Sequence, residues 1–226
     1  MSKGMSKVGQ MNKGIKTKNY FYDMLDLSKM SYCHYSCCDP SCKDCDKEFE
    51  ECDHCSPKEN KKFGYVQLYY GKNPLLYVTT PVMVCPFGLN KDNFQMSLQF
   101  TNMTDDPIMK GFFDFVQGLE FEQMKLLGLE EEDEEAYISQ IKYDKKGKYD
   151  PNLVVKVPFS YNKFNCDIYS DNYSGMSMMN ISKFSKMQCD IYLDKVWGAN
   201  DKFVAKWKVR VIHVLWESIL LRYLRR

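Results

Sequence analysis

The chain has 226 residues, 31 lysines and arginines against 30 aspartates and glutamates, and a hydrophobic content of 44%. That length suits one well-cored domain with appendages; the lack of an apolar leader, and of any run near ~18 apolar residues, predicts a soluble intracellular protein without a membrane span. The near-neutral total conceals a segregation, because residues 63–140 hold 4 basic and 12 acidic side chains whereas residues 141–226 hold 16 and 8. Clustered cations of this kind favour a polyanionic partner over a neutral one.

Residues 1–62 read as a flexible arm with a cysteine-rich segment. Residues 1–30 are rich in Lys, Gly, Ser and Met with little apolar periodicity, which predicts an extended or disordered stretch. Seven of the ten cysteines follow between Cys33 and Cys55. Cys42-x-x-Cys45 and Cys52-x-x-Cys55 supply four thiolates, the donor set of a tetrahedral zinc site, with His34 and His54 nearby. Zinc is the expected organiser of so acidic a segment; a reduced tail and late-formed disulfides are the alternatives. Cys85, Cys166 and Cys189 fall in strand-like apolar runs and read as small core residues.

From Phe63 the pattern becomes that of a packed β domain, expected over 63–215. Tyr65–Tyr70 is a first strand, closed by turn residues Gly71 to Pro74. Leu75–Val84 is a long β-branched and aromatic run, and Phe94, Met96, Leu98 and Phe100 alternate with polar residues. Asp105-Asp106-Pro107 has the chemistry of a helix start, and Ile108, Phe112, Phe115, Val116, Leu119, Met124 and Leu127 recur at helical spacing. The acidic run Glu130–Glu135 leads to further strand regions over Leu153–Phe159, Phe164–Tyr169, Gln188–Trp197 and Phe203–Leu215. Trp216–Arg226 carries apolar residues at helical spacing and reads as a C-terminal amphipathic helix, a capping element or a surface for homodimerisation. Strands, one helix and then more strands is no βαβ alternation. The fold class expected is mainly β: an antiparallel barrel with an inserted helix, of which the oligonucleotide-binding (OB-fold) barrel is the commonest form that takes single strands.

Alternation places Phe203, Ala205, Trp207, Val209 and Val211 on one face and Lys206, Lys208 and Arg210 on the other. A cationic row on a half-buried sheet with aromatics is how single-stranded nucleic acid is held, phosphates on the cations and bases on the rings. Lys156 stands on the corresponding side of its strand. Ser160-Tyr161-Asn162-Lys163 reads as a hairpin tip, which makes Tyr161 the preferred stacking residue with Lys163 and Phe164 beside it. Lys145 and Lys148 belong to a basic loop able to speed association without base specificity. Trp207 shares the apolar face and is expected in the core, and Trp197, beside Gly198 at a strand end, is balanced between core packing and base stacking. For the cationic row the plain alternative is a solvated strand face, and for the loop lysines a solubilising loop that balances the acidic run before it. Enzyme chemistry has little support: the only histidines are His34, His54 and His213, and there is no P-loop, dinucleotide fingerprint or nucleophile motif.

Two groups of segments, taken in order, resemble a known family. The first is Pro74-Leu75-Leu76, Thr80-Pro81-Val82-Met83, Pro86-Phe87-Gly88 and Phe94 to Phe100. The second is Tyr149-Asp150-Pro151, Val155 to Pro158, Phe164 to Asp171 and Ile191 through Trp197 to Val209. Together they are similar to the phage-like single-stranded DNA-binding proteins of large DNA viruses. The resemblance implies an OB barrel without enzymatic activity that coats single-stranded DNA during replication and recombination, with replication proteins as partners and the viral replication site as location. Related phage proteins end in an acidic tail, whereas Arg222-Tyr223-Leu224-Arg225-Arg226 is basic. Two other functions fit the same residues: a structural or assembly protein of a virion, and a zinc-organised adaptor.

Overall fold

The computed structural model describes residues 20–34, 63–170 and 175–215. Cys42, Cys45, Cys52 and Cys55, with the zinc site expected of them, and the helix expected over 216–226 lie outside the described residues. The chain is mainly β, with several sheets and one α-helix among those residues. In chain order the strands are β1 (Tyr20–Phe21), β2 (Met30–His34), β3 (Phe63–Tyr70), β4 (Leu76–Thr79), β5 (Met83–Cys85) and β6 (Gln95–Gln99). After helix α1 (Pro107–Leu126) come β7 (Ile141–Lys142), β8 (Asn152–Lys156), β9 (Phe159–Ser160), β10 (Lys163–Phe164) and β11 (Asp167–Ser170). The last are β12 (Ser185–Leu193), β13 (Lys195–Ala199), β14 (Lys202–Ala205) and β15 (Trp207–Leu215). No helix among the described residues is long and apolar enough to cross a membrane.

A nine-stranded sheet runs β1-β4-β12-β5-β6-β8-β15-β11, with β7 on β8 and a further pairing between β12 and β15. A four-stranded sheet runs β14-β13-β3-β2, and β9 and β10 form a small hairpin. Long β12 bridges β4 at one end and β5 at the other. The run Leu75–Val84 is therefore two strands, interrupted where Pro81 has no N–H to give the ladder. Thr80 fills the gap: its hydroxyl accepts from Cys189 N at 3.0 Å, and its carbonyl accepts from Gln188 Nε2 at 2.9 Å. Buried and satisfied, it holds β4 and β5 on the same partner strand.

The core forms where the inward residues of β4, β6, β8, β12 and β15 meet one face of α1. Phe100 packs edge-on to Phe113 at 5.1 Å between ring centroids and lies 5.9 Å from Phe112. The helix starts as its sequence predicts: Asp106 Oδ1 accepts from Ile108 N and Met109 N at 2.9 and 3.1 Å, with Pro107 in the first turn. Its buried stripe is Met109, Phe112, Phe113, Val116, Leu119 and Gln123. Phe112, Val116 and Leu119 are buried as expected, whereas Phe115, Met124 and Leu127 are half-buried against the core and Ile108 is left 60% exposed. Residues 20–34, expected in the N-terminal arm, are built into the fold instead: β1 pairs with β4, β2 pairs with β3, and the Tyr22 ring between them lies 5.7 Å from Phe112 and 6.2 Å from Phe115 of α1. A Cβ on Gly111 would stand 2.8 Å from the Tyr22 hydroxyl, so a residue unfavourable to helix is what lets that ring close in.

Cys85 and Cys189 are buried in the core and Cys166 is half-buried; all three are free thiols. Burial pushes their ionisation upward, Cys85 to about 11 and Cys166 to about 12, so all stay protonated.

Gly88 lies in the loop after β5 with φ +72°, and a Cβ there would fall 2.8 Å from the Ile181 carbonyl oxygen. Both the left-handed backbone and a rigid main-chain neighbour oppose a side chain. Gly88→Ala is expected to destabilise the protein by about 2–3 kcal/mol, read as a lower denaturant midpoint with unchanged slope. A neutral result would mean that the loop moves freely over residues 181–183.

Candidate functional site

One lateral row crosses the outer side of the nine-stranded sheet. Tyr77 on β4 is aligned with Tyr192 on β12, Tyr192 with Lys208 on β15, Lys208 with Lys156 on β8, and Lys156 with Gln95 on β6. The four on β4, β12, β15 and β8 arise from one rule: the neighbours of each in the chain are buried, so alternation turns them outward, and Gln95 is turned the same way at the start of β6, before buried Met96. The two tyrosine rings lie 5.7 Å apart at 41°. Lys208 Nζ sits 5.9 Å from the Tyr192 ring centroid, and the Arg210 guanidinium 5.2 Å from that of Tyr77. The result is a strip of π faces and cations side by side.

The cations are not simply solvated. Lys206, Lys208 and Arg210 are half-buried, and Lys208 Nζ bonds Asp194 Oδ2 at 2.5 Å. Tyr192 is a neutral phenol, because burial first, then the Asp194 charge and Tyr77, push its ionisation up to about 12. Asp194 occupies a structural corner: its carbonyl accepts from Leu68 N at 2.9 Å and Gln67 Nε2 at 2.5 Å, tying the two sheets together.

Arg210 shows a departure from strict alternation. Ile191 pairs with Val209 and Asp190 with Val211, so Arg210 is the extra residue of a β-bulge. Beyond it the phase reverses. Val211, expected beside Val209 on the apolar face, is instead aligned with Asp190, and Ile212 and Val214 take the buried side. The bulge leaves two consecutive residues, Arg210 and Val211, half-buried.

At the Lys156 end of β8 stands the hairpin β9–β10. Tyr161 and Asn162 form its two-residue tip with φ of 50° and 59°, a left-handed pair matching the right-handed twist of a tight hairpin. The tip expected from the sequence is present, and Tyr161 is 96% exposed. Phe164 lies in a three-ring cluster, 5.3 Å from Phe94 and 5.0 Å from Phe159, which anchors the hairpin to the loop before β6. Lys163 is exposed beside it. Lys145 and Lys148 are exposed too, in a loop that enters β8 from the other end. Lys148 Nζ stands 5.3 Å from the Tyr149 ring, and its N–H bonds Asp144 Oδ2 at 2.9 Å. The structure thus gathers Lys156, Lys208, Arg210 and the hairpin at one side and leaves the basic loop a strand length away.

No protein family and no curated protein matches this chain. The reading of the site therefore rests on its geometry. Tyr77, Tyr192 and Asp194 were passed over in the sequence. The parity of Tyr77 within Leu75–Val84 and of Tyr192 against Ile191 and Leu193 was the available signal. Trp207, expected in the core, is 1% exposed, and Trp197 is 43% exposed.

A separate groove of about 590 Å³ runs along α1 between Phe121, Met124, Tyr137, Ile141 and Tyr143. Glu120 lines it, its carboxylate accepting from Ser139 Oγ at 2.6 Å and Gln140 N at 2.7 Å. Burial raises its ionisation more than these hydrogen bonds lower it. An acid with a raised folded value holds a proton in the native state over a range where the unfolded chain has lost it, so its contribution is complete at low pH and lost as pH rises through the folded value. Glu120→Gln is accordingly expected to be more stabilising relative to wild type at about pH 7 than at about pH 4. Denaturant melts of both proteins at each pH check this; a pH-independent difference would contradict it.

Proposed function

We propose that this chain binds single-stranded DNA without sequence specificity, as a coating protein of viral replication and recombination, and performs no catalysis. The row Tyr77, Tyr192, Lys208 and Lys156 carries this reading, since rings and cations side by side on an open sheet face suit stacked bases and phosphates. The resemblance over roughly residues 63–214 supports it.

We also read the fold as an OB-type barrel. Pairings β5–β6, β6–β8, β8–β15, β15–β12 and β12–β5 return to their start, a circuit of five strands in the order first, second, third, fifth, fourth. That circuit supports a five-stranded Greek-key barrel, whose oligonucleotide surface is the face of the second and third strands with the flanking loops. Lys156 lies on the third. The mechanism is passive: Lys156, Lys208 and Arg210 displace the counterions condensed on the phosphates, bases rest on Tyr192 and on Tyr161 at the hairpin tip, and reannealing is blocked. No step runs through the zinc proposed for the cysteine segment.

Oligothymidine binding followed by fluorescence anisotropy tests this. Three phosphate contacts predict a slope of log affinity on log salt of about −2; binding indifferent to salt would overturn the proposal. Asp194 supplies a second handle, because it holds Lys208 by an ion pair. Asp194→Asn is expected to raise affinity about threefold or more as the ammonium is released to phosphate. Unchanged affinity would mean that Lys208 is a structural cation only.

A further inference from the structure

The row on the nine-stranded sheet is continued by a second aromatic platform on the four-stranded one. Trp197 on β13 is aligned with Tyr65 on β3, their ring centroids 5.0 Å apart. Lys195 Nζ lies 4.1 Å from the Tyr65 centroid and 5.2 Å from that of Trp197. Trp197 is 43% exposed, so an indole face beside a cation is open to a ligand. A wholly structural tryptophan would bury that area, as Trp207 does.

Two strand junctions put this platform and the row on one surface. Between β14 and β15, Ala205, Trp207 and Val209 are all buried, so alternation keeps Val204, Lys206, Lys208 and Arg210 on the outer side through the join. Between β12 and β13 the phase slips by one at Asp194 and Lys195, both half-buried, which keeps Tyr192 and Trp197 outward although five residues apart. Residues 185–215 are thus a single bent hairpin, turned at Asn200 and Asp201, where φ is 50° and 57°. Val204 is opposite Trp197 and Lys208 is opposite Tyr192, which leaves Lys206 between the two aromatic stations. Tyr192 and Trp197 are separated by about 16 Å of strand, a spacing for several nucleotides of an extended chain.

We propose that Trp197, with Tyr65 and Lys195, is a second stacking station, and that a single strand runs along the outer face of this hairpin from Tyr192 past Lys206 to Trp197. The proposal rests on the nucleic-acid reading above and adds a path to it. Single-stranded nucleic acid fits better than a protein surface for two reasons. The outer residues of the hairpin include the cations Lys195, Lys206, Lys208 and Arg210 against the carboxylates Asp190 and Asp194. Of these carboxylates, Asp194 is engaged by Lys208 and Asp190 accepts from the Thr79 hydroxyl at 2.7 Å. The rings also supply flat faces at both stations, which every base can use.

The test uses the full chain and an oligothymidine of about 12 nucleotides, within the site sizes such folds cover. Trp197→Ala is expected to weaken binding about 5- to 150-fold, the loss of one stacked base. Trp197→Phe keeps a ring and should bind within about threefold of wild type, while losing most of the tryptophan quenching that the oligonucleotide causes. This variant separates loss of stacking from loss of fold. If wild type does not bind, the reading of function falls. If wild type binds and Tyr192→Ala weakens it, but Trp197→Ala binds normally and quenching survives in Trp197→Phe, the second station alone is overturned. The same holds if the Trp197 variants change only self-association, since the platform then belongs to a second copy of the chain.

Discussion

Trp207→Ala is expected to lower stability by about 3–5 kcal/mol, a large share of what a domain of this size possesses. Trp207 is 1% exposed and among the largest fully enclosed side chains. It opens β15 directly opposite Val155 of β8, at the parallel contact between these two strands. Removing the indole leaves a cavity lined by strands already fixed by their ladders, so collapse to fill it is restricted. Trp197→Ala, by contrast, removes a ring already in contact with water and should cost about 1 kcal/mol or less. Denaturant unfolding of the two variants side by side checks the assignment of one tryptophan to the core and the other to the surface. Equal losses would contradict it.

The second large effect is on ligand binding. Tyr192→Ala is expected to reduce affinity for oligothymidine by about 1–3 kcal/mol, whereas Lys208→Ala should act mainly on the salt dependence, making the slope shallower by about 0.7. The two differ because a ring supplies contact area indifferent to ions, while an ammonium displaces a condensed counterion. Tyr192→Phe retains the face and should bind nearly as wild type, since its buried phenol is not needed as a charge. If Tyr192→Phe lost as much as Tyr192→Ala, the hydroxyl rather than the stacking face would be responsible. Anisotropy titrations of the variants at several salt concentrations distinguish these cases.

What was legible in the sequence was whatever a single periodicity or a short local signal determines. The start of α1 at Asp106 and Pro107, the hairpin tip at Tyr161 and Asn162, and the inward face of Trp207 and Val209 all came from neighbours in the chain. What was not legible depended on distant partners. The break at Pro81 is tolerated because Thr80 reaches Cys189 and Gln188 more than a hundred residues on. The phase changes at Arg210 and at Asp194–Lys195 come from pairing with a second strand and a second sheet, and alternation within one strand carries no trace of them. In α1, Phe112, Val116 and Leu119 were legible from helical spacing, whereas the seat of the Tyr22 ring at Gly111 depends on a contact between segments distant in the chain. At the candidate site the cations were visible as a charge pattern, but their company was not. That Lys208 shares Asp194 and Tyr192, and that Tyr65 meets Trp197, follows from register alone.

The central claim is that the outer face of the strands holds single-stranded nucleic acid. Its most direct test is a pair of titrations of the full chain, with labelled oligothymidine and with a labelled duplex of equal length, at low and at moderate salt. Tight, salt-sensitive binding to the single strand with much weaker binding to the duplex is the predicted result, since stacking needs bases that a duplex conceals. Equal and weak binding to both would contradict the claim, reduce the row of rings and cations to ordinary surface, and leave a structural role in an assembly as the better account.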